Sequence, residues 1–181
     1  MIITISGRPG AGKSSVAKRV AAKLGMKHYS MGDLQRSIAK EKGVSLAELS
    51  EMEERDKSID KEVDRKQEEL GKREDNFVID SRIGFHFIPQ SVKVFLDVDP
   101  DTGAGRIYRE KRDDERFSTL EKTEDELKSR VASEKKRYME YYNTDHHDMS
   151  NYDIVIDTTD MSIEETADEV MKRASEFESE G

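Results

Sequence analysis

The sequence contains no cysteine, no tryptophan and only three prolines among its 181 residues. Missing thiols exclude disulfides, thiolate metal sites and cysteine nucleophiles together, and they fit a reducing compartment, so a cytoplasmic location is expected. With so little proline, no low-complexity tract and no internal repeat, nothing marks an interdomain linker, and residues 1–181 read as one domain. No apolar run is long enough to span a bilayer and no basic-then-apolar leader precedes the first strand, so no membrane partner is expected. Aromatics are scarce at 7% while charged residues reach 39%, a balance that suits a small core carrying long solvated helices better than a sandwich or barrel. The net charge of -9 opposes general nucleic-acid binding, which needs exposed Lys and Arg against the phosphate backbone.

What is present alternates between strand and helix signals. Residues 1–6 form a short β-rich run ending at Gly7, and the next helix places Val16, Val20, Ala21 and Leu24 on one face before Gly25 stops it. A strand at 27–30 leads into a helix carrying Leu34 and Ile38 that ends near Gly43. Ser45 and Glu48 have capping-box spacing, and residues 45–70 read as one or two amphipathic helices up to Gly71, with Ile59, Val63 and Leu70 on one face. The compact apolar runs 76–80 and 92–98 lack alternation, as strands buried on both faces do. Asp99 and Pro100 should open a helix to about Arg112. Thr123 with Glu126, and Ser162 with Glu165, have the spacing to open two more, the first running to about Asn143 and the second following a strand at 153–158. Strands separated by helices throughout predict an α/β fold with a parallel sheet, whose ligands bind at the carboxyl ends of the strands.

One such strand end carries Gly7-Arg8-Pro9-Gly10-Ala11-Gly12-Lys13-Ser14, which fills every fixed position of G-x-x-x-x-G-K-[ST] between a strand and a helix. Gly7, Gly10 and Gly12 permit torsions that turn backbone amides around a phosphate. Lys13 reaches the β- and γ-phosphates of a nucleoside triphosphate, the Ser14 hydroxyl ligates Mg²⁺, and the helix N-terminus adds its dipole. A glycine-rich turn that binds nothing is disfavoured by the completeness of the match and its context. Asp80, at the end of another buried strand, is placed to deliver a carboxylate beside the metal, directly or through water. Arg82 follows at the strand tip, where it can grip a phosphate or pair with Asp80.

Arg106, Arg109 and Arg112 recur every three residues, and Arg130, Glu134, Arg137 and Tyr141 form a polar stripe on the next helix beside Leu127, Val131, Tyr138 and Tyr142. These arginines suit a lid that closes on a triphosphate; a solvated helical hairpin with internal pairs such as Arg130 with Glu134 is the plainer alternative. Asp60, Asp64 and Gln67 flank one helix, where they could read an exocyclic amine and a ring edge or simply face solvent. His146 and His147, between Asp145 and Asp148, read as loop surface in preference to a metal site. Several arginines without an obvious general base favour a phosphate acceptor, which is already ionised, over an alcohol.

On these residues the chain resembles the nucleoside monophosphate kinases, a group of P-loop kinases, and within them the archaeal-type cytidylate kinases. The glycine loop, Ser30-Met31-Gly32-Asp33 with Arg36, the acidic helix 59–67, Asp80-Ser81-Arg82, the run 92–97, the arginine-bearing segment and residues 150–158 carry the likeness. The resemblance implies a P-loop NTPase core of 1–30, 72–105 and 150–181 around a five-stranded parallel sheet. A helical monophosphate-binding insertion would occupy about 31–71, and a lid with its following helix about 106–149. ATP would lie on Gly7, Arg8, Pro9, Gly10, Ala11, Gly12, Lys13, Ser14, Ser15 and Arg106, with Mg²⁺ at Ser14 and Asp80. Arg36 and Arg82 would hold the acceptor phosphate in a site shared with Ser30, Gly32, Asp33, Asp60 and Asp64. Lys13, Arg109, Arg112 and Arg137 would supply charge to the transferring group. The implied reaction moves the γ-phosphoryl group of Mg-ATP to CMP or dCMP in a monomeric enzyme. Bacterial cytidylate kinases carry an aspartate immediately after the arginine matching Arg82; here that residue is Ile83, so cytosine would be read elsewhere, with Asp60, Asp64 and Arg65 as candidates. A kinase for AMP, UMP or a small alcohol is the nearest alternative. A nucleotide-dependent switch is another, although the chain lacks an Asn-Lys-x-Asp motif.

Overall fold

The computed structural model describes residues 1–110 and 119–180. Arg112 and the side chain of Asp60 lie outside this description. Five parallel strands form one sheet in the order β2-β3-β1-β4-β5, comprising β1 (Ile2–Gly7), β2 (Lys27–Ser30), β3 (Phe77–Asp80), β4 (Val92–Asp97) and β5 (Ile154–Asp157). β1 sits in the middle, so all six of its residues are buried. Its two buried hydroxyls are satisfied: Thr4 Oγ1 and Ser91 Oγ are 2.9 Å apart, and Ser6 Oγ donates to the Ser81 carbonyl at 2.8 Å.

Helices α1 (Lys13–Leu24) and α8 (Ile163–Glu180) pack Val16, Val20, Ala167 and Val170 against Ile3, Ile5, Val94 and Leu96. Each fully buried Ile, Val or Leu contributes about 1.5–3 kcal/mol, and this cluster is where the phosphate loop is anchored. A second cluster joins α2 (Met31–Lys42), α3 (Leu46–Arg55) and α4 (Lys57–Arg73) to Phe77 and Ile79 through Ile38, Leu49, Ile59 and Val63. A third gathers Ile83, Phe85, Phe95, Tyr138 and Tyr152 where α5 (Gly84–Phe87) and α7 (Leu120–Tyr142) meet the sheet. α6 (Pro100–Glu110) completes the set, with the Thr102 amide donating to Asp99 Oδ1 at 2.9 Å as an N-cap.

Local signals place most boundaries to within a residue or two, and three departures are instructive. Gly71 does not end its helix: α4 continues to Arg73, and a Cβ at Gly71 would stand 3.1 Å from the Ile88 side chain, so the glycine allows close packing. The helix expected from Thr123 starts a turn earlier. Thr119 is its N-cap, accepting from the Lys122 amide, while the buried Thr123 hydroxyl donates back to the Thr119 carbonyl at 3.0 Å. The four-residue α5 has too few residues to show a period, so the sequence gives no sign of it. Glycine endings at Gly25 and Gly43, the Ser45–Glu48 box and the Ser162–Glu165 box all form as their spacing predicts.

Candidate active site

The loop between β1 and α1 is shaped by glycines at φ 78° for Gly10 and 79° for Gly12. It is also shaped from outside, because a Cβ at Gly10 would meet the Gly103 carbonyl at 2.2 Å and one at Gly103 would meet the Pro9 carbonyl at 2.6 Å. Backbone of α6 therefore rests directly on the loop. Arg8 donates to Asp97 Oδ1 at 2.6 Å, Ala11 is buried, and Ser15 is exposed on the first turn of α1. Lys13 folds back to donate to the Arg8 carbonyl at 3.1 Å. Its side chain is half-buried in the cleft; desolvation first, then the Arg82 cation, holds its ammonium pKa well below the usual lysine value. An incoming phosphate anion would relieve that cost.

Asp80 is a hub at the end of β3. Its Oδ1 accepts from Ser14 Oγ and Ser30 Oγ, each at 3.0 Å, and its Oδ2 lies 2.9 Å from His28 Nε2. The register that pairs Ser30 with Asp80 also brings His28, two residues back on the same face of β2, to the carboxylate. His28 was not among the expected site residues; its two-residue spacing from Ser30 is the one signal that could have pointed to it. Ser14 hydroxyl and Asp80 carboxylate are hard oxygen donors in contact, a set that fits Mg²⁺ in company with water and phosphate oxygens. Ser30 also caps α2, accepting from the Asp33 amide at 3.3 Å, and Asp33 in turn pairs with Arg36.

One open cleft joins these parts. The loop residues Pro9, Gly10, Gly12, Lys13 and Ser14 line one side, and Asp80, Ser81, Arg82 and Ile83 its floor. From α2 come Met31, Gly32, Gln35 and Arg36; from α4, Val63, Asp64 and Gln67; and from α6 and α7, Ile107, Glu110, Arg130 and Tyr138. Arg82 does not pair with Asp80. It donates to Glu134 Oε2 at 2.9 Å, and Arg130 donates to the other oxygen at 3.1 Å. Burial alone would raise the Glu134 pKa, but the two arginines prevail and hold the carboxyl well below its usual range. Glu134 thus holds two guanidiniums together at the cleft wall, concentrating positive charge where an anion would bind.

The remaining expected residues are engaged elsewhere. Arg106 donates to the carbonyls of Thr158 at 2.8 Å and Thr159 at 2.9 Å and reaches Gly10 O at 3.4 Å, tying α6, the glycine loop and the end of β5 together. Arg109 is exposed and bonds the Gly105 carbonyl of its own helix. Arg137 is buried against α3, with Glu53 Oε2 at 3.2 Å and Ser50 Oγ at 3.3 Å, outside the cleft lining. His146 overturns the expectation of loop surface. It is 2% exposed, its Nε2 lies 3.8 Å from Glu134, and desolvation, reinforced by His147, lowers its pKa to about 3. Asp145, His146 and His147 present ligand atoms within 4.8 Å of one another, but Lys135 already holds Asp145 at 2.8 Å. No helix among the described residues is long and apolar enough to cross a membrane.

Known proteins share both fold and sequence with this chain. An uncharacterized protein from Eubacterium ventriosum superposes with a TM-score of 0.72 at 22% identity, covering 97% of this chain and 98% of that one. Shikimate kinase from Aquifex aeolicus superposes at 0.59 with 19% identity over the whole of both chains. These likenesses show the fold alone, a five-stranded parallel sheet flanked by helices. In sequence, the cytidylate kinase of Methanocaldococcus jannaschii is 37% identical over 91% of this chain and 92% of its own. That of Methanosphaera stadtmanae is 34% identical over 95% and 96%. A profile of the cytidylate kinase-like family matches residues 2–160, and the chain belongs to that family.

Proposed function

We propose that this protein transfers the γ-phosphoryl group of Mg-ATP to CMP or dCMP, giving ADP and CDP or dCDP, as a cytoplasmic monomer. The observation that carries the reading is a cleft lined together by the glycine loop, Asp80 and the guanidiniums of Arg36, Arg82 and Arg130. Two anions can be held there facing each other. Relatives named cytidylate kinase over most of the chain supply the acceptor class.

Backbone amides at the start of α1 and its dipole bind the β-phosphate, and Lys13 leaves the Arg8 carbonyl to bridge β and γ. Ser14 and Asp80 would hold Mg²⁺, which would supply positive charge to the phosphates. Arg82 and Arg36 align the acceptor phosphate oxygen with the γ-phosphorus. That oxygen is already ionised, so the bond to phosphorus forms as the bond to the ADP oxygen breaks, without a general base. Arg130, anchored by Glu134, adds positive charge beside the transferring group. Residues 31–71 serve as the acceptor-binding insertion, and 106–149 as the lid and its support.

A coupled assay of ADP release with Mg-ATP and a panel of AMP, CMP, dCMP, UMP and GMP tests the proposal. CMP or dCMP should give the highest kcat/KM. ATP hydrolysis unaffected by any monophosphate would replace the kinase reading with a nucleotide-dependent switch.

A further inference from the structure

Gln67 is a buried polar side chain in the cleft that the phosphate chemistry leaves unused. It is 1% exposed, it lines the cleft from α4, and its Oε1 accepts from Ser81 Oγ. Its Nε2 makes no hydrogen bond among the described residues. The orientation of the amide is fixed by the serine proton. If the amide were turned over, Nε2 would donate to Ser81 Oγ and the hydroxyl proton would lose its acceptor. Gln67 therefore offers the cleft a donor. One turn earlier on the same face, Asp64 also lines the cleft and accepts the Tyr142 hydroxyl on Oδ2, so it offers a carboxylate acceptor whose rotation is limited from behind. Ile83 on the floor and Val63 beside them bring no polar group to compete.

From this geometry we infer that Asp64 and Gln67 read the Watson–Crick edge of the acceptor base and select an amino base over an oxo base, an inference that rests on the kinase reading above. Cytosine presents an amine donor at N4 next to an acceptor at N3, the complement of a carboxylate next to an amide NH₂. Uracil presents a carbonyl at O4 and a donor at N3, so both positions oppose like with like: carbonyl against carboxylate, N–H against N–H. Guanine is opposed in the same sense. A buried polar group left unpaired or facing its own kind costs enough to give strong selection, whereas a difference of a methylene does not. Ser81 and Tyr142 act here as positioning residues, each holding one reading group in the required orientation. Cytosine recognition would thus reside on the inserted helix, at a place remote in sequence from Ile83.

The test is the ratio of kcat/KM for CMP to that for UMP, measured with Mg-ATP. The unaltered protein should favour CMP. Asp64→Asn keeps the shape, and with the Tyr142 hydroxyl bonded to its oxygen it turns an NH₂ toward the base. The ratio should fall by about tenfold or more while KM for ATP stays unchanged. Tyr142→Phe and Ser81→Ala free one reading group each and should lower the ratio in the same direction, an effect that a purely structural loss would not produce. A folded Asp64→Asn protein that keeps the full CMP preference overturns the inference, as does equal use of CMP and UMP by the unaltered enzyme. If Asp64→Asn does not fold, an unchanged ratio in both Tyr142→Phe and Ser81→Ala overturns it. An enzyme that phosphorylates neither monophosphate overturns the proposed function itself, and is distinguished by the absence of any acceptor-dependent ADP release.

Discussion

Lys13 and Arg82 are one charge each, and their surroundings give them different tasks. Lys13→Ala should cut turnover at least about a hundredfold, because a positioned cation at the developing charge is lost, while the thermal midpoint stays close to that of the parent. Arg82→Lys keeps the charge but cannot hold Glu134 and a phosphate together with one flat fork. KM for the monophosphate should rise well beyond any rise in KM for ATP, and equal changes would remove its assigned role. His146 makes a stability prediction. Its folded pKa near 3 lies below the ordinary histidine value, so the unfolded chain takes up a proton first as pH falls from about 6.5. Stability is full above that range and declines through it; the Glu134 contribution follows only as pH drops below the ordinary carboxylate range. Urea midpoints at pH 7.5 and pH 5 should separate for the parent and separate less in His146→Gln, where His86 and His147, also lowered by burial, keep part of the difference. The phosphate loop was legible because its chemistry lies in eight consecutive residues. The partnership of Arg82 with Glu134 was not, since the two lie 52 positions apart and nothing local distinguishes it from the nearer Asp80 or Arg130.

At the scale of elements, α6 holds two glycines in its interior, each of which costs about 1 kcal/mol relative to alanine. They should respond in opposite ways. At Gly105 the nearest atom to a new Cβ is the end of the Arg109 side chain at 3.9 Å, so Gly105→Ala should stabilise by roughly 0.5–1 kcal/mol. At Gly103 the same Cβ collides with the Pro9 carbonyl, so Gly103→Ala should raise KM for ATP and lower the thermal midpoint despite its better helix propensity. Denaturation curves and ATP kinetics on the two variants check both. Helix limits could be read from the chain wherever a cap is built from neighbours, as with Ser45 and Glu48. Gly71 and Gly103 could not be read correctly, because a glycine used for close approach and one used to stop a helix look alike until the opposing backbone is known.

For the molecule as a whole, α3 and α7 are joined by the buried pair Arg137 and Glu53, with Tyr141 bonding the Glu53 carbonyl at 3.1 Å. Removing one partner breaks a buried ion pair, so Glu53→Ala should destabilise by about 3–5 kcal/mol in denaturant, and the double change Glu53→Leu with Arg137→Met should recover most of it. The order β2-β3-β1-β4-β5 has a different kind of consequence. The loop-bearing strand has a hydrogen-bonded neighbour on each side, the Ser81 amide closing on the Ile5 carbonyl and the Arg8 amide on that of Leu96. Its amides can meet deuterium only when the entire sheet comes apart, so they keep the time of global unfolding, and a nucleotide that binds only the folded state slows that clock by its binding free energy. In a deuterium-exchange map the imprint of ligand would then reach the central strand, far from any direct contact, as well as the helices α2 and α4 that line the cleft.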